Sequence, residues 1–199
     1  MKKIILMTSG KINYQLPKLS LYESISVTAK GKQFPHLASA GNEYIQTLAS
    51  KIGPQISRLY FAPSHQCQDT ARYFSNPKTS LDLLLPLKFD LSALVSQEES
   101  VELGLKFFDT LRRRYLLAFF SNKLMEDNHQ ICARYHKLVE LCQPNSTTLV
   151  ISHAYLIKQF QAYHILGSRM FTDYQALSNI FKPELETMSR LETVDIIIN

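Results

Sequence analysis

A chain of 199 residues, 45% apolar and 20% charged, is long enough to bury a sizeable core as one domain over residues 1–199. No apolar run approaches the roughly 20 residues that a bilayer-spanning helix needs. The first one, Ile4 to Met7, stops at Thr8-Ser9-Gly10 without the h-region or cleavage site of a signal peptide, so neither a membrane span nor a signal peptide is expected and the protein is expected to be cytoplasmic. The net charge of +5 has its densest cluster at Arg112-Arg113-Arg114. Successive helical residues point in different directions, so these arginines read as a solvated face rather than a nucleic-acid patch.

In chain order, Lys3 to Met7 reads as a strand and residues 11–37 as an irregular excursion broken by Pro17, Gly31 and Pro35. Gly41 to Lys51 has apolar residues at helical spacing, Tyr44, Ile45, Leu48 and Ile52. Arg58 to Ala62 is a second strand, and Ser64 to Phe74 a helix with Ser64 as its N-cap. Leu81 to Leu87 reads as a strand or sheet edge. Ser96-Gln97-Glu98-Glu99 reads as a capping box opening a helix to about Phe120. A further helix covers residues 126–142. Thr147 to Ser152 is a strand rich in β-branched residues, Ala154 to Ile165 a helix closed by Gly167, and Thr193 to Ile198 a last strand. This alternation predicts an α/β protein, a three-layer α/β/α sandwich with a mostly parallel central sheet. The aromatic-rich helical insertion at about 97–140, with Phe107, Phe108, Tyr115, Phe119 and Phe120, reads as core or a cap over a pocket. The other reading is a dimer face.

The three cysteines, Cys67, Cys132 and Cys142, show no CxxC spacing and form neither a disulfide framework nor a zinc site. Only His129 and His136 have metal-ligand spacing on a shared helix face, with nothing else to support a site. No metal and no cofactor are expected.

Two strands end in polar turns, at Thr8-Ser9-Gly10 and at Ser152-His153-Ala154, and a third turn, Ala62-Pro63-Ser64, opens the helix carrying Gln66, Asp69 and Thr70. In a parallel sheet such turns meet at the carboxyl edge, where ligands bind. With Leu37-Ala38-Ser39-Ala40-Gly41 and the run Ala62-Pro63-Ser64-His65-Gln66-Cys67-Gln68-Asp69-Thr70-Ala71, they stand in the order and spacing of four motifs of the histidine phosphatase superfamily. Across roughly residues 2–165 the chain resembles a degenerate, phosphoglycerate-mutase-like member of that superfamily.

The resemblance implies a specific chemistry: a neutral histidine attacks phosphorus, two arginines and a second histidine hold the phosphate oxygens, and a carboxylic acid protonates the leaving group. Here Ser9 stands at the nucleophile position, Thr8 and Gln66 at the arginine positions, and only His153 matches, at the second histidine. Asp90, Glu98 and Glu99 lie in the region that supplies the acid. A serine hydroxyl needs a base where imidazole does not. Two lost charge-assisted hydrogen bonds, at roughly 1.5–3 kcal/mol each, weaken phosphate binding by a factor on the order of 10² to 10⁴. Lys11, beside Gly10, is better placed to compensate than Lys158. Phosphohistidine-type phosphatase or mutase activity is therefore expected to be absent.

What remains is a polar, nearly uncharged pocket of Thr8, Ser9, Gly10, Lys11, Gln66 and His153. Its leading reading is a non-catalytic protein that binds a small polar ligand or a protein partner, with no nucleic acid or membrane involved and a homodimer as a candidate assembly. The alternative is a hydrolase or transferase in which His153 acts as general base for Ser9 or a water. The bland readings are that Thr8 and Ser9 only form a turn, Gln66 is exposed, and His153 bonds to backbone at a strand end.

Overall fold

A computed structural model describes residues 1–38, 42–181 and 193–198. It contains a five-stranded sheet in the order β3-β2-β4-β1-β5. Strands β1 (Lys2–Thr8), β2 (Arg58–Phe61), β3 (Lys78–Ser80) and β4 (Thr147–Ser152) run parallel, and β5 (Thr193–Ile198) is antiparallel to β1 at the edge. From Ile4 to Met7 and from Thr148 to Ile151, side chains directed to both faces of the sheet are buried. That is the signature of a sheet covered on both sides by helices, and it explains why these strands read as unbroken apolar runs. The mostly parallel three-layer architecture is the expected one.

The helices α2 (Asn42–Ile52), α3 (His65–Ala71) and α8 (Ala154–Leu166) lie where periodicity placed them, although Ser39, Ala40 and Gly41 fall outside the described residues. Gly167 closes α8 as expected. The buried side chains form one hydrophobic cluster joining the sheet to α6 (Phe107–Phe120), α7 (Gln130–Leu141), α8 and α9 (Tyr174–Phe181). Phe107, Leu111, Tyr115, Leu116 and Phe119 are all buried, so the aromatic stripe of the insertion is core.

Several expectations need correction. The segment 11–37 is not wholly irregular, because Leu21–Ala29 forms α1. Its start is a full capping box: Ser20 Oγ accepts from Glu23 N–H at 3.2 Å, and the Glu23 carboxylate accepts from Ser20 N–H at 2.8 Å. The signal was present as Ser20-x-x-Glu23 but was outweighed by the nearby Pro17 and Gly31. Replacing Ser20 with Ala is expected to cost about 1 kcal/mol in chemical denaturation, with Glu23→Ala costing less.

Leu81 to Leu87 is not a strand. The paired residues are Lys78–Ser80, followed by a 3₁₀ turn at Asp82–Leu84 that buries Leu84 inward. The helix expected from Ser96 to Phe120 is broken. Ser96 Oγ caps α5 (Gln97–Leu103) by accepting from Glu99 N–H, and Gly104 then turns the chain at φ +51° before α6. The box is half-formed, because the Glu99 carboxylate binds Arg114 instead. Helix α7 starts at Gln130 rather than 126, since Asp127 Oδ1 accepts from His129 N–H in a local turn. Helix α3 ends at Ala71 rather than Phe74.

Candidate functional site

The register of the sheet builds the site. Thr8 pairs with Ser152 across β1 and β4, and Phe61 pairs with Ile151 across β2 and β4. Ser9 N–H then donates to Ser152 C=O at 3.0 Å, and Ala62 N–H to Ile151 C=O at 3.0 Å. The three polar turns therefore leave the sheet side by side at its carboxyl edge, as the sequence predicted.

At their meeting point sits His153, the first residue beyond β4. Gln66 Nε2 donates to its Nδ1 at 3.1 Å, which places the proton on Nε2, and Nε2–H donates to Ser64 Oγ at 3.0 Å. Burial pulls the imidazole pKa down to about 4, so His153 is neutral at physiological pH. Ser64 does not cap α3 with its side chain, and it is fully buried. The reason is that its hydroxyl is committed to His153. Gln66 is buried rather than exposed, and its Oε1 has no hydrogen-bond partner.

The network continues into the first turn. Thr70 Oγ1 donates to Gln66 C=O at 2.7 Å and accepts from Gly10 N–H at 3.0 Å. A Cβ at position 10 would stand 2.5 Å from Ile45 Cδ1 and 3.1 Å from Leu37 Cδ2, so glycine allows those apolar side chains to close over the turn. Residues 34–38 form a strap on the same side. Phe34 lies 5.2 Å from the His153 ring, centroid to centroid, Ala38 N–H donates to Lys11 C=O at 2.8 Å, and Leu37 pairs with Ile12. The strap is tied to α3 by His36 Nδ1 and Asp69 Oδ2 at 2.9 Å, with His36 stacked on His65. Beyond it lies an open groove of about 310 Å³ lined by Leu37, Asn42, Asp69, Arg72 and Tyr73.

Of the residues singled out from the sequence, Gly10, Gln66 and His153 join one hydrogen-bonded chain. Thr8 is buried at the end of β1. Ser9 is partly exposed, its N–H bonded to Ser152 and its hydroxyl bonded to neither ring nitrogen of His153. Lys11 is exposed, and its carbonyl rather than its ammonium does the structural work.

Of the candidate acids, Asp90 caps α4 (Leu91–Leu94), and hydrogen bonds from Ser92 and Lys30 hold its pKa below the usual carboxylate range. Glu99 is lowered by Arg114, and Glu98 by backbone and Ser96 hydrogen bonds. All three are ionised at neutral pH, the wrong state for a proton donor. Sequence reasoning missed Ser64, Thr70 and the strap. Thr70 was visible inside the Asp69-Thr70 motif, whereas nothing local announces Phe34.

Among solved structures, the chain is similar to a phosphoserine phosphatase mutant of Entamoeba histolytica in complex with phosphoserine. The identity is 17%, over 83% of this chain and 80% of that one, with a TM-score of 0.54. A mycobacterial glucosyl-3-phosphoglycerate phosphatase in complex with VO3 matches at 13% identity over 86% and 87%, with a TM-score of 0.58. The product of an open reading frame of Mycobacterium tuberculosis matches at 14% over 82% and 80%, with a TM-score of 0.55. No family model and no curated protein matches the chain. The fold is phosphoglycerate-mutase-like. At these identities the likeness establishes the fold and leaves the chemistry to the residues.

Proposed function

We propose that this chain is a pseudophosphatase: a non-catalytic protein on the histidine phosphatase fold that acts by binding a small polar ligand or a protein partner. One observation carries the reading. His153, which matches the family's second histidine, is neutral and has both ring nitrogens committed to Gln66 and Ser64. It offers no proton to a phosphate oxygen, and Gln66 offers an amide where a guanidinium would supply charge. Ser9 brings no imidazole to attack phosphorus.

The alternative with Ser9 as nucleophile finds less support. A base with a pKa of about 4 is far from the near-neutral value that general-base catalysis favours, and its nitrogens are taken by other residues. Ser64 touches His153 but is sealed from solvent. For a small ligand, the open groove lined by Leu37, Asn42, Asp69, Arg72 and Tyr73, bordered by the strap and α3, offers a space. No helix among the described residues is long and apolar enough to cross a membrane. The cytoplasm, where the free thiols Cys67, Cys132 and Cys142 stay reduced, is the compartment this reading assigns.

The test is hydrolysis of p-nitrophenyl phosphate and phosphoserine by the intact chain, with orthovanadate titrated against the His153 ring proton signals. The expected result is turnover at the blank rate and His153 signals that do not move with vanadate. Turnover that disappears in His153→Ala, or vanadate-dependent shifts of the ring, would return the protein to the enzymes.

A further inference from the structure

Two tyrosine–histidine pairs cross the seam between α7 and α8. Tyr135 Oη is hydrogen-bonded to His164 Nδ1 at 2.8 Å, and His136 Nε2 to Tyr163 Oη at 3.0 Å. The first pair stands on the core, since Tyr135 is buried and lies edge-on to Phe160. It fixes the register of the two helices. The second pair opens to solvent, with His136 exposed and Tyr163 half-buried.

A third donor meets that second pair. Cys132 precedes His136 by four residues, one turn of α7, which puts the two side chains on one face with about 5–6 Å between their Cβ atoms. The half-buried Cys132 thiol lies against the Tyr163 hydroxyl, whose pKa is raised by burial first and by this thiol next. A sulfur, a ring nitrogen and a phenol oxygen therefore converge from two packed helices. No group of three His, Cys, Asp or Glu side chains among the described residues could hold a metal ion. Here the third donor is a tyrosine, supplied across the seam by α8.

We propose that Cys132, His136 and Tyr163 form a binding site for a zinc ion. Thiolate with imidazole selects a borderline-soft divalent cation over Mg²⁺ and Ca²⁺, which take oxygen ligands. On binding, the S–H bond of Cys132 breaks, a Zn–S bond forms, and one proton leaves to solvent. His136 Nε2 gives its lone pair to the metal. The Tyr163 oxygen is the weaker third ligand, and water completes the tetrahedron. Structural zinc sites use four strong ligands and this one has two, so the ion is exchangeable and held in the micromolar range. The other thiols do not compete: Cys67 is fully buried, which pushes its pKa up to about 12, and burial also raises that of Cys142. The site lies almost three turns along α8 from His153 and is independent of what that pocket binds.

Co²⁺ titrated from about 1 to about 200 µM into the reduced full chain tests this. A cobalt–thiolate bond gives a near-ultraviolet charge-transfer band, and a tetrahedral ion gives visible bands. The expected result is that both rise to one equivalent per chain and are bleached by Zn²⁺. Cys132→Ser is expected to abolish the near-ultraviolet band. His136→Ala is expected to weaken binding about tenfold or more, and the exposure of this side chain means that folding is not at stake. Tyr163→Phe is expected to weaken it by less, and Cys142→Ser to leave it unchanged. A chain that shows no bands at the highest concentration, or any of the first three variants binding Co²⁺ as tightly as the parent, overturns the proposal.

Discussion

On acidification from pH 8, His153 alone is expected to cost the protein about 2 kcal/mol of folding stability by pH 5 and about 3 kcal/mol by pH 4. The sign follows from the two pKa values. The imidazole titrates near 6.5 when free and at about 4 in the fold, where burial disfavours the cation. Between those values the unfolded chain binds a proton that the folded chain refuses, so stability is fully present above pH 6.5 and falls as pH drops toward 4. Protonation would also place an N–H on Nδ1, which now accepts from Gln66, and set two donors against each other.

Urea unfolding of the wild type and His153→Gln at several pH values checks this. The lowered carboxylates Asp90, Glu99, Asp127 and Asp173 also lose stability in acid, but they do so in both proteins. The difference between the two curves isolates His153. A difference that stays flat from pH 8 to pH 4 would mean that the ring titrates normally and is open to solvent, and the pseudophosphatase reading would lose its chief support.

The second large effect concerns the helix that begins at this histidine. Phe160 is wholly buried on α8, with its ring 5.9 Å from that of Tyr135 on α7 in an edge-on arrangement. Phe160→Ala removes a ring from the centre of the hydrophobic cluster and leaves a cavity that α7 and α8 cannot fill without moving. The expected cost is about 3–5 kcal/mol, read as a fall of roughly 10 °C in Tm. Because α8 carries His153 at its first turn, the ring signals of His153 are expected to shift in this variant although residue 160 lies two turns away. The contrast is Leu105→Ala, where an equally apolar residue is fully exposed and the change in stability stays within about 0.5 kcal/mol. Sequence alone ranks the two positions alike, since both are large apolar residues in helical surroundings.

The difference between what could be read early and what could not lies in the range of the interactions. The strands at Lys2–Thr8 and Thr147–Ser152 were legible because burial on both faces forces continuous apolar runs, and the largely exposed edge strand Thr193–Ile198 because it is rich in β-branched residues. The first turn of α8 and its Gly167 stop were legible because capping is local. From these, the convergence of Ser9, Ser64 and His153 at one sheet edge follows from parallel pairing. The misreadings were also local. Apolar composition made a strand of Leu81 to Leu87, where Pro86 and a 3₁₀ turn prevail, and amphipathic spacing carried a helix straight through Gly104.

By itself, then, the sequence determined the layered fold and the polar turns that end its parallel strands. Those follow from residue identity and short-range periodicity. Only the tertiary structure decided what the residues of those turns do. Ser64 became a partner of His153 rather than a helix cap, and Gln66 became a buried orienting amide. Phe34, Leu37 and Ile45 came to cover the turn at Gly10. Each of these contacts joins segments far apart in the chain, 87 residues between Gln66 and His153 and 89 between Ser64 and His153. No local pattern records such a pairing, because its geometry exists only once the sheet has brought the strand ends together.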